Sequence, residues 1–440
     1  MVLREVEIAE GQKALEDGLE LTEVKVAAPD RVGSGVSVHS HAPDRGSHFK
    51  PLDRIRRITR DGRWIPEIDG LRFVAIASVF LFHLSGELQL RSGRIIPIEP
   101  RYSGLFWLID HGDCGVNLFF IISGFVLALP FARQFLCSSR PVSLRKYFLR
   151  RATRLEPPYL LSVLIFVVML VFYAHHVTLD LLRHAAITAV YLHGLVYGQK
   201  TFINVISWSL EIEIQFYIVA PLFMQLYRLP SRLLRRAIMA ALIVGISLAQ
   251  FTIVGSPRAS ISILFYIQFF LMGLLLAEIY ILDASRIRPS LFFDAAGLAG
   301  LALTFGLSHT FVFSQIFMPW TMALLFLAAF RSIVMRRFFA NPWIAAIGGM
   351  CYSIYLMHFQ MIALFFKVTS RFVGVHFDFL ANFGIQLLVT ALPVLLTSLV
   401  FYLLIERPCM DPNWPSRFWH WVTGRSRSEA LAFDSGGISA

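Results

Sequence analysis

The sequence predicts an all-α protein: a polytopic membrane helical bundle of about ten transmembrane helices, with the N-terminus and the C-terminus both cytoplasmic. Three observations lead there. Of 440 residues, 56% are hydrophobic and only 16% charged, with a mean hydropathy of +0.63. A soluble domain cannot hide so much apolar surface. Most of it falls in runs of about 20 residues, the length that spans a bilayer. The basic residues behind a net charge of +11 sit in short clusters between those runs. That is the pattern of the positive-inside rule rather than of a nucleic-acid face. The expected surroundings are therefore a lipid bilayer, with no nucleic-acid partner.

Residues 1–64 read as a largely disordered cytoplasmic tail. Its start is acidic, its middle is rich in Gly, Ser, Pro and His, and its end, "RIRRITRDGRW", is basic with apolar residues interleaved, as suits an anionic leaflet. No apolar core follows a short basic start, so no cleavable signal peptide is expected. His39, His41 and His48 are scattered in this polar stretch and carry no ligand pattern. Cys114, Cys137, Cys351 and Cys409 show neither CxxC nor metal-ligand spacing and read as ordinary apolar residues, with no metal expected.

Spans are expected over 70–90, 115–135, 157–176, 208–227, 237–255, 260–282, 291–308, 312–330, 343–366 and 380–405. Residues 179–198 are apolar too, but Asp180, Arg183 and His184 make them a loop or an interfacial helix. Ten spans place the clusters Arg54–Arg63, Arg133–Arg154, Arg228–Arg236, Arg286/Arg288, Arg331–Arg337 and Arg407–Arg427 on the cytoplasmic side. An eleventh would invert every later loop. The last residues, 409–440, read as a cytoplasmic tail.

Several spans carry polar groups that lipid does not tolerate without reason. In "GLRFVAIASVFLFHLSG", Arg72 and His83 are 11 residues apart, about three helical turns, and so share a face roughly 16 Å from end to end. Arg72 alone fits a snorkelling interfacial anchor. His83 lies deeper, and an ionisable residue at depth marks a pathway or a site; it can serve as general base, proton relay or ligand. A base reached past an arginine points to an anionic cofactor whose charged head stays in the cytoplasm. "GVNLFFIISGF" adds Asn117 and Ser123, "SWSLEIEIQFY" adds Glu211 and Glu213, and "MCYSIYLMHFQ" adds Ser353, Tyr355 and His358. Singly, these also fit helix-packing contacts. In "RKYFLRRATRLEPPYLL", Arg151 and Arg154 share a helix face just before Pro157-Pro158, as bidentate phosphate binding or ordinary positive-inside charge would require.

At these residues the chain resembles the integral-membrane acyltransferase family 3, over roughly Ile65 to Pro408. Six motifs stand in order: "EIDGLRFVAIASVFLFH", "GVNLFFIISGF", "RRATRLEPPY", "WSLEIEIQFY", "CYSIYLMH" and "IERP". The resemblance implies a transmembrane acyltransferase domain over 65–408, in the cell (inner) membrane. Its members acylate hydroxyls of glycans, lipids or small glycosides. It implies acyl-CoA, acetyl-CoA first, as donor substrate, and a hydroxyl-bearing glycan or glycoside as acceptor. Arg72, Arg151 and Arg154 would hold the donor's phosphates. The catalytic set would be His83, Glu213, Ser353 and His358, with His83 as base or acyl carrier and Glu213 holding its imidazole in the useful tautomer. Departures are Asn117, where an acidic residue is common, Cys351 in place of a frequent Ser, and Glu211, an additional acid. The alternative is a proton-coupled transporter or flippase using His83 and Glu213 as a relay.

Overall fold

The computed structural model describes residues 64–91, 103–174, 178–253, 255–283, 286–307, 311–374, 377–411 and 413–417. The expectations for the N-terminal tail lie outside them. Among the described residues every regular element is helical. The principal helices are α1 (Pro66–Arg91), α2 (Gly115–Leu136), α3 (Leu144–Ala174), α4 (Ser207–Phe223), α5 (Arg232–Ile253), α6 (Ile263–Asp283), α7 (Leu291–Leu307), α8 (Phe311–Arg331), α9 (Cys351–Thr369) and α10 (Phe379–Phe401).

Each expected span overlaps one of these helices, but 343–366 is divided at Met350 between a short helix, Pro342–Gly349, and α9. Among the described residues seven helical stretches are long and apolar enough to cross a membrane by length and composition; α7 and most of α8 are shorter apolar helices, and α4 belongs to neither group. The segment 179–198 forms two short helices, Leu179–Ala189 and His193–Tyr197, neither long enough to span. Glu211, unassigned from sequence, caps the second of them, accepting from the backbone N–H groups of Gly194 and Leu195.

The start of α3 also differs from expectation. Pro157-Pro158 does not begin a span but lies inside α3, so the arginine pair and the apolar run share one helix. Proline lacks the N–H that would bond the carbonyl four residues earlier. For Pro157 that carbonyl belongs to Thr153, and the indole Nε1 of Trp414 donates to it at 2.8 Å. The defect is repaired from the C-terminal segment.

Among the described residues the core has two large parts and a small third cluster around Ile76, Met350, Ile354, Tyr402 and Met410. In the larger, α2 crosses α6 at close range. A Cβ on Gly124 would strike the backbone of Phe270, and one on Gly273 the backbone around Ile121–Phe125, so only glycine permits the approach. Phe125, Phe216, Phe270 and Phe326 fill the space around it. The second large part joins the C-terminal half of α1 to α3, α9 and α10 through Leu84, Phe166, Leu356 and Phe379. Between α5 and α6, Arg235 Nη2 meets Glu278 Oε1 at 2.9 Å with both side chains buried. Arg232 and Arg236 complete this network on Asp283.

Candidate active site

Two groups of polar side chains stand inside the bundle. The first lines a cavity of about 110 Å³ between α1, α2, α3, α4 and α9, where Arg72, Arg151 and Arg154 meet Ser123, Glu213, Tyr217, Cys351 and Tyr355. The helical repeat explains the arginine pair, since positions three apart share a face. Arg72 is held from behind: its Nη1 donates to Asp69 Oδ1 at 2.5 Å, and Asp69 also accepts from Trp64 Nε1 at 2.7 Å. The Arg151 guanidinium stands 5.4 Å from the ring centre of Tyr217 and 5.9 Å from that of Tyr147, within cation–π range of both. Arg154 keeps a buried Nε with no hydrogen-bond partner among the described residues.

Against three guanidiniums the cavity wall offers one carboxylate, Glu213. It is already engaged: one oxygen accepts from Ser123 Oγ at 2.6 Å and from the Tyr217 hydroxyl. The cavity is therefore rich in fixed cationic donors, the chemistry that takes phosphate or another multiply charged anion.

The second group lies further along α1. His83 is half-buried, 5.3 Å between ring centres from His358 on α9, with Phe82 and Phe359 against its edges. His358 is fully buried. Its Nδ1 sits 2.9 Å from the carbonyl oxygens of both Ile354 and Tyr355. Carbonyls only accept, so the proton is assigned to Nδ1 and the lone pair to Nε2. That Nε2 is buried and without a hydrogen-bond partner among the described residues. Tyr355 connects the two groups. It lines the cavity, lies one turn before His358, and is anchored through its hydroxyl to Ser209 Oγ at 3.0 Å and the Ile206 carbonyl.

Each residue expected from sequence can now be placed. Arg72, Arg151, Arg154 and Glu213 come together in the cavity, and His83 and His358 come together beyond it. Among the described residues Glu213 accepts hydrogen bonds from Ser123 and Tyr217, and none joins it to His83. The imidazole facing His83 belongs to His358. Ser353 is fully buried and its backbone N and hydroxyl both donate to Glu406 Oε2, at 3.0 and 2.5 Å. Asn117 donates to the Met318 sulfur at 3.2 Å. Tyr217 and Glu406 had not been singled out from sequence. For Tyr217 a signal existed, four residues after Glu213 on the same helical face. No group of three His, Cys, Asp or Glu side chains among the described residues is arranged to hold a metal ion.

The profile of the acyltransferase domain family matches residues 65–406. The chain is 24% identical over 392 residues to the O-acetyltransferase OatA of Staphylococcus aureus (strain NCTC 8325 / PS 47), covering 82% of this chain and 59% of that protein. It is 25% identical over 345 residues to the peptidoglycan O-acetyltransferase OatA of Listeria monocytogenes, covering 70% of this chain and 51% of that one. The chain thus spans between half and three fifths of the length of these relatives. No solved structure matches it with significance. An acyltransferase-domain match over most of the chain, on a bundle with a cationic cavity and an internal histidine pair, makes it a member of the acyltransferase 3 family.

Proposed function

We propose that this protein is a membrane O-acetyltransferase that moves an acetyl group from cytoplasmic acetyl-CoA to a hydroxyl of a glycan outside the membrane. Peptidoglycan, the substrate named for the Listeria relative, is the first acceptor to test. The transferase occupies 65–408 of a multi-pass cell-membrane protein with both tails, 1–64 and 409–440, in the cytoplasm. The single observation that carries the reading is the convergence of Arg72, Arg151 and Arg154 on one cavity, with the His83–His358 pair further along the same helices.

In this mechanism the three guanidiniums bind the donor's phosphates, and the thin pantetheine arm runs along α1 to bring the thioester to His83. His83 takes the proton from the acceptor hydroxyl. The oxygen attacks the thioester carbonyl, the carbon–sulfur bond breaks, and the CoA thiolate leaves with that proton. His358 serves as the partner of the base. Its Nε2 lone pair, without a partner among the described residues, lies on a ring whose centre is 5.3 Å from that of His83. A small rotation of His83 as substrate binds would bring its imidazole N–H to that lone pair and leave the other His83 nitrogen free to take a proton. A carboxylate plays this orienting part in hydrolase triads. Glu213, tied to Ser123 and Tyr217, keeps the cavity wall in shape and balances one of the three positive charges.

The test is acetyl transfer by the purified chain in lipid discs with acetyl-CoA and glycan fragments. Transfer that requires acetyl-CoA and is lost in His83→Ala supports the reading. Glycan left unmodified by the wild-type chain, with acetyl-CoA present, refutes it.

A further inference from the structure

The mechanism above gives no role to Glu406, a carboxylate only 1% exposed. Burying such a charge is costly unless its surroundings answer it. Glu406 closes a π-helical turn, Tyr402–Glu406, that follows α10. A π turn inserts an extra residue and redirects the side chains after it, a feature frequent at functional positions. Here it points Glu406 at the first turn of α9, where Oε2 receives both the backbone N–H and the hydroxyl of Ser353. The neighbouring Tyr352 donates its hydroxyl to the carbonyl of Leu155 at 3.0 Å, directly after Arg154 on α3. Two and five residues past Ser353 on α9 come Tyr355 of the cavity wall and His358. The Ser353 and Tyr352 bonds thus put the Glu406 carboxylate one α9 residue away from the contact to the α3 backbone beside Arg154.

We propose that Glu406 is a positioning residue for the transfer reaction: by fixing Ser353 it holds the start of α9 against α3, so that Arg154 and the Tyr355–His358 face stay aligned on the cavity. The inference rests on the donor-binding reading of Arg154 given above. It also has a sign that separates it from simple electrostatics. Removing a negative charge beside a cationic site tightens the binding of an anion if charge is all that matters. If position matters, the same change weakens binding.

The experiment titrates coenzyme A into the full chain in lipid discs, as wild type, Glu406→Gln and Ser353→Ala, with acetyl-transfer kinetics on the same preparations. Glu406→Gln keeps the shape and an acceptor oxygen but replaces charge-assisted hydrogen bonds with neutral ones about half as strong. The expected result is a rise of about tenfold in the coenzyme A Kd for Glu406→Gln and of about threefold for Ser353→Ala, with the acceptor KM unchanged. Equal or tighter binding by Glu406→Gln overturns the inference while leaving the donor site intact. Less folded protein with an unaltered Kd also overturns it, because the role is then structural only. A normal Kd in Ser353→Ala beside a weakened Glu406→Gln removes the path through Ser353. Failure of the wild-type chain to bind coenzyme A overturns the donor-site reading itself, and this inference with it.

Discussion

Arg151→Ala is the substitution whose consequence follows most directly from the geometry. The Arg151 guanidinium lies within cation–π range of two tyrosine rings, one of them, Tyr217, on the cavity wall, which favours its charge at that place before any ligand arrives. Removing it deletes one charge-assisted contact to a donor phosphate, worth about 1.5–3 kcal/mol. That corresponds to a rise of about 10- to 150-fold in the donor KM. Arg151→Lys keeps the charge and loses the fork, and falls between wild type and alanine. Arg154 shares the ligand, so the double variant costs less than the product of the two single effects. Steady-state transfer of labelled acetyl groups at varied acetyl-CoA, with saturating acceptor, reads this out. The phosphates remain remote from the reacting bond, so the effect belongs in KM. A fall in kcat with the donor KM unchanged would refute the assignment of Arg151 to donor binding.

The remaining expectations concern the histidines and the scaffold. His358→Ala removes the acceptor that orients His83 and lowers kcat about 10²-fold at unchanged donor KM, and His358→Gln, whose amide oxygen reaches the Nε2 position, restores part of it; pre-steady-state transfer rates check both. Glu278→Ala leaves Arg235 buried without its partner and destabilises the chain by about 3–5 kcal/mol, read as a lower thermal unfolding midpoint while KM in the surviving fraction stays at the wild-type value. His193, in the short helix between α3 and α4, is held below the ordinary imidazole range by burial, chiefly, and by the neighbouring His184, against the Gln199 carbonyl that its Nδ1–H meets. Its unfolded form binds a proton at a higher pH than its folded form, so the chain keeps full stability above the ordinary imidazole range and loses it as pH falls through that range. Unfolding midpoints measured from pH 8 to pH 5 should decline, and decline less in His193→Gln.

Much of the architecture could be read before any coordinates. The apolar runs located all the principal helices because a bilayer demands length and composition, both local properties. Arg151 and Arg154 were visible as a pair because three-residue spacing on a helix is also local. What sequence did not disclose depends on contacts between distant segments. His83 and His358 face each other across α1 and α9, 275 residues apart, and no periodicity connects them. Glu213 was expected beside His83 by the family motif and by analogy with the carboxylate of hydrolase triads, and the structure shows Ser123 and Tyr217 both donating to one of its oxygens. Pro157-Pro158 looked like a helix start because proline removes a backbone donor, and the repair by Trp414 comes from the other end of the chain. Ser353 reads as a catalytic hydroxyl in its motif, and only the π turn after α10 reveals that Glu406 holds it.

The central claim is that His83 performs the transfer of an acetyl group delivered by a donor that the arginines bind. It is tested most directly by mass spectrometry of glycan fragments incubated with lipid-disc preparations of wild type, His83→Ala and Arg151→Ala, each with and without acetyl-CoA. Transfer through His83 predicts an acetyl-sized increment with wild type and acetyl-CoA, none with His83→Ala, and recovery in Arg151→Ala when acetyl-CoA is raised. An increment that persists in His83→Ala, or forms without acetyl-CoA, would contradict it.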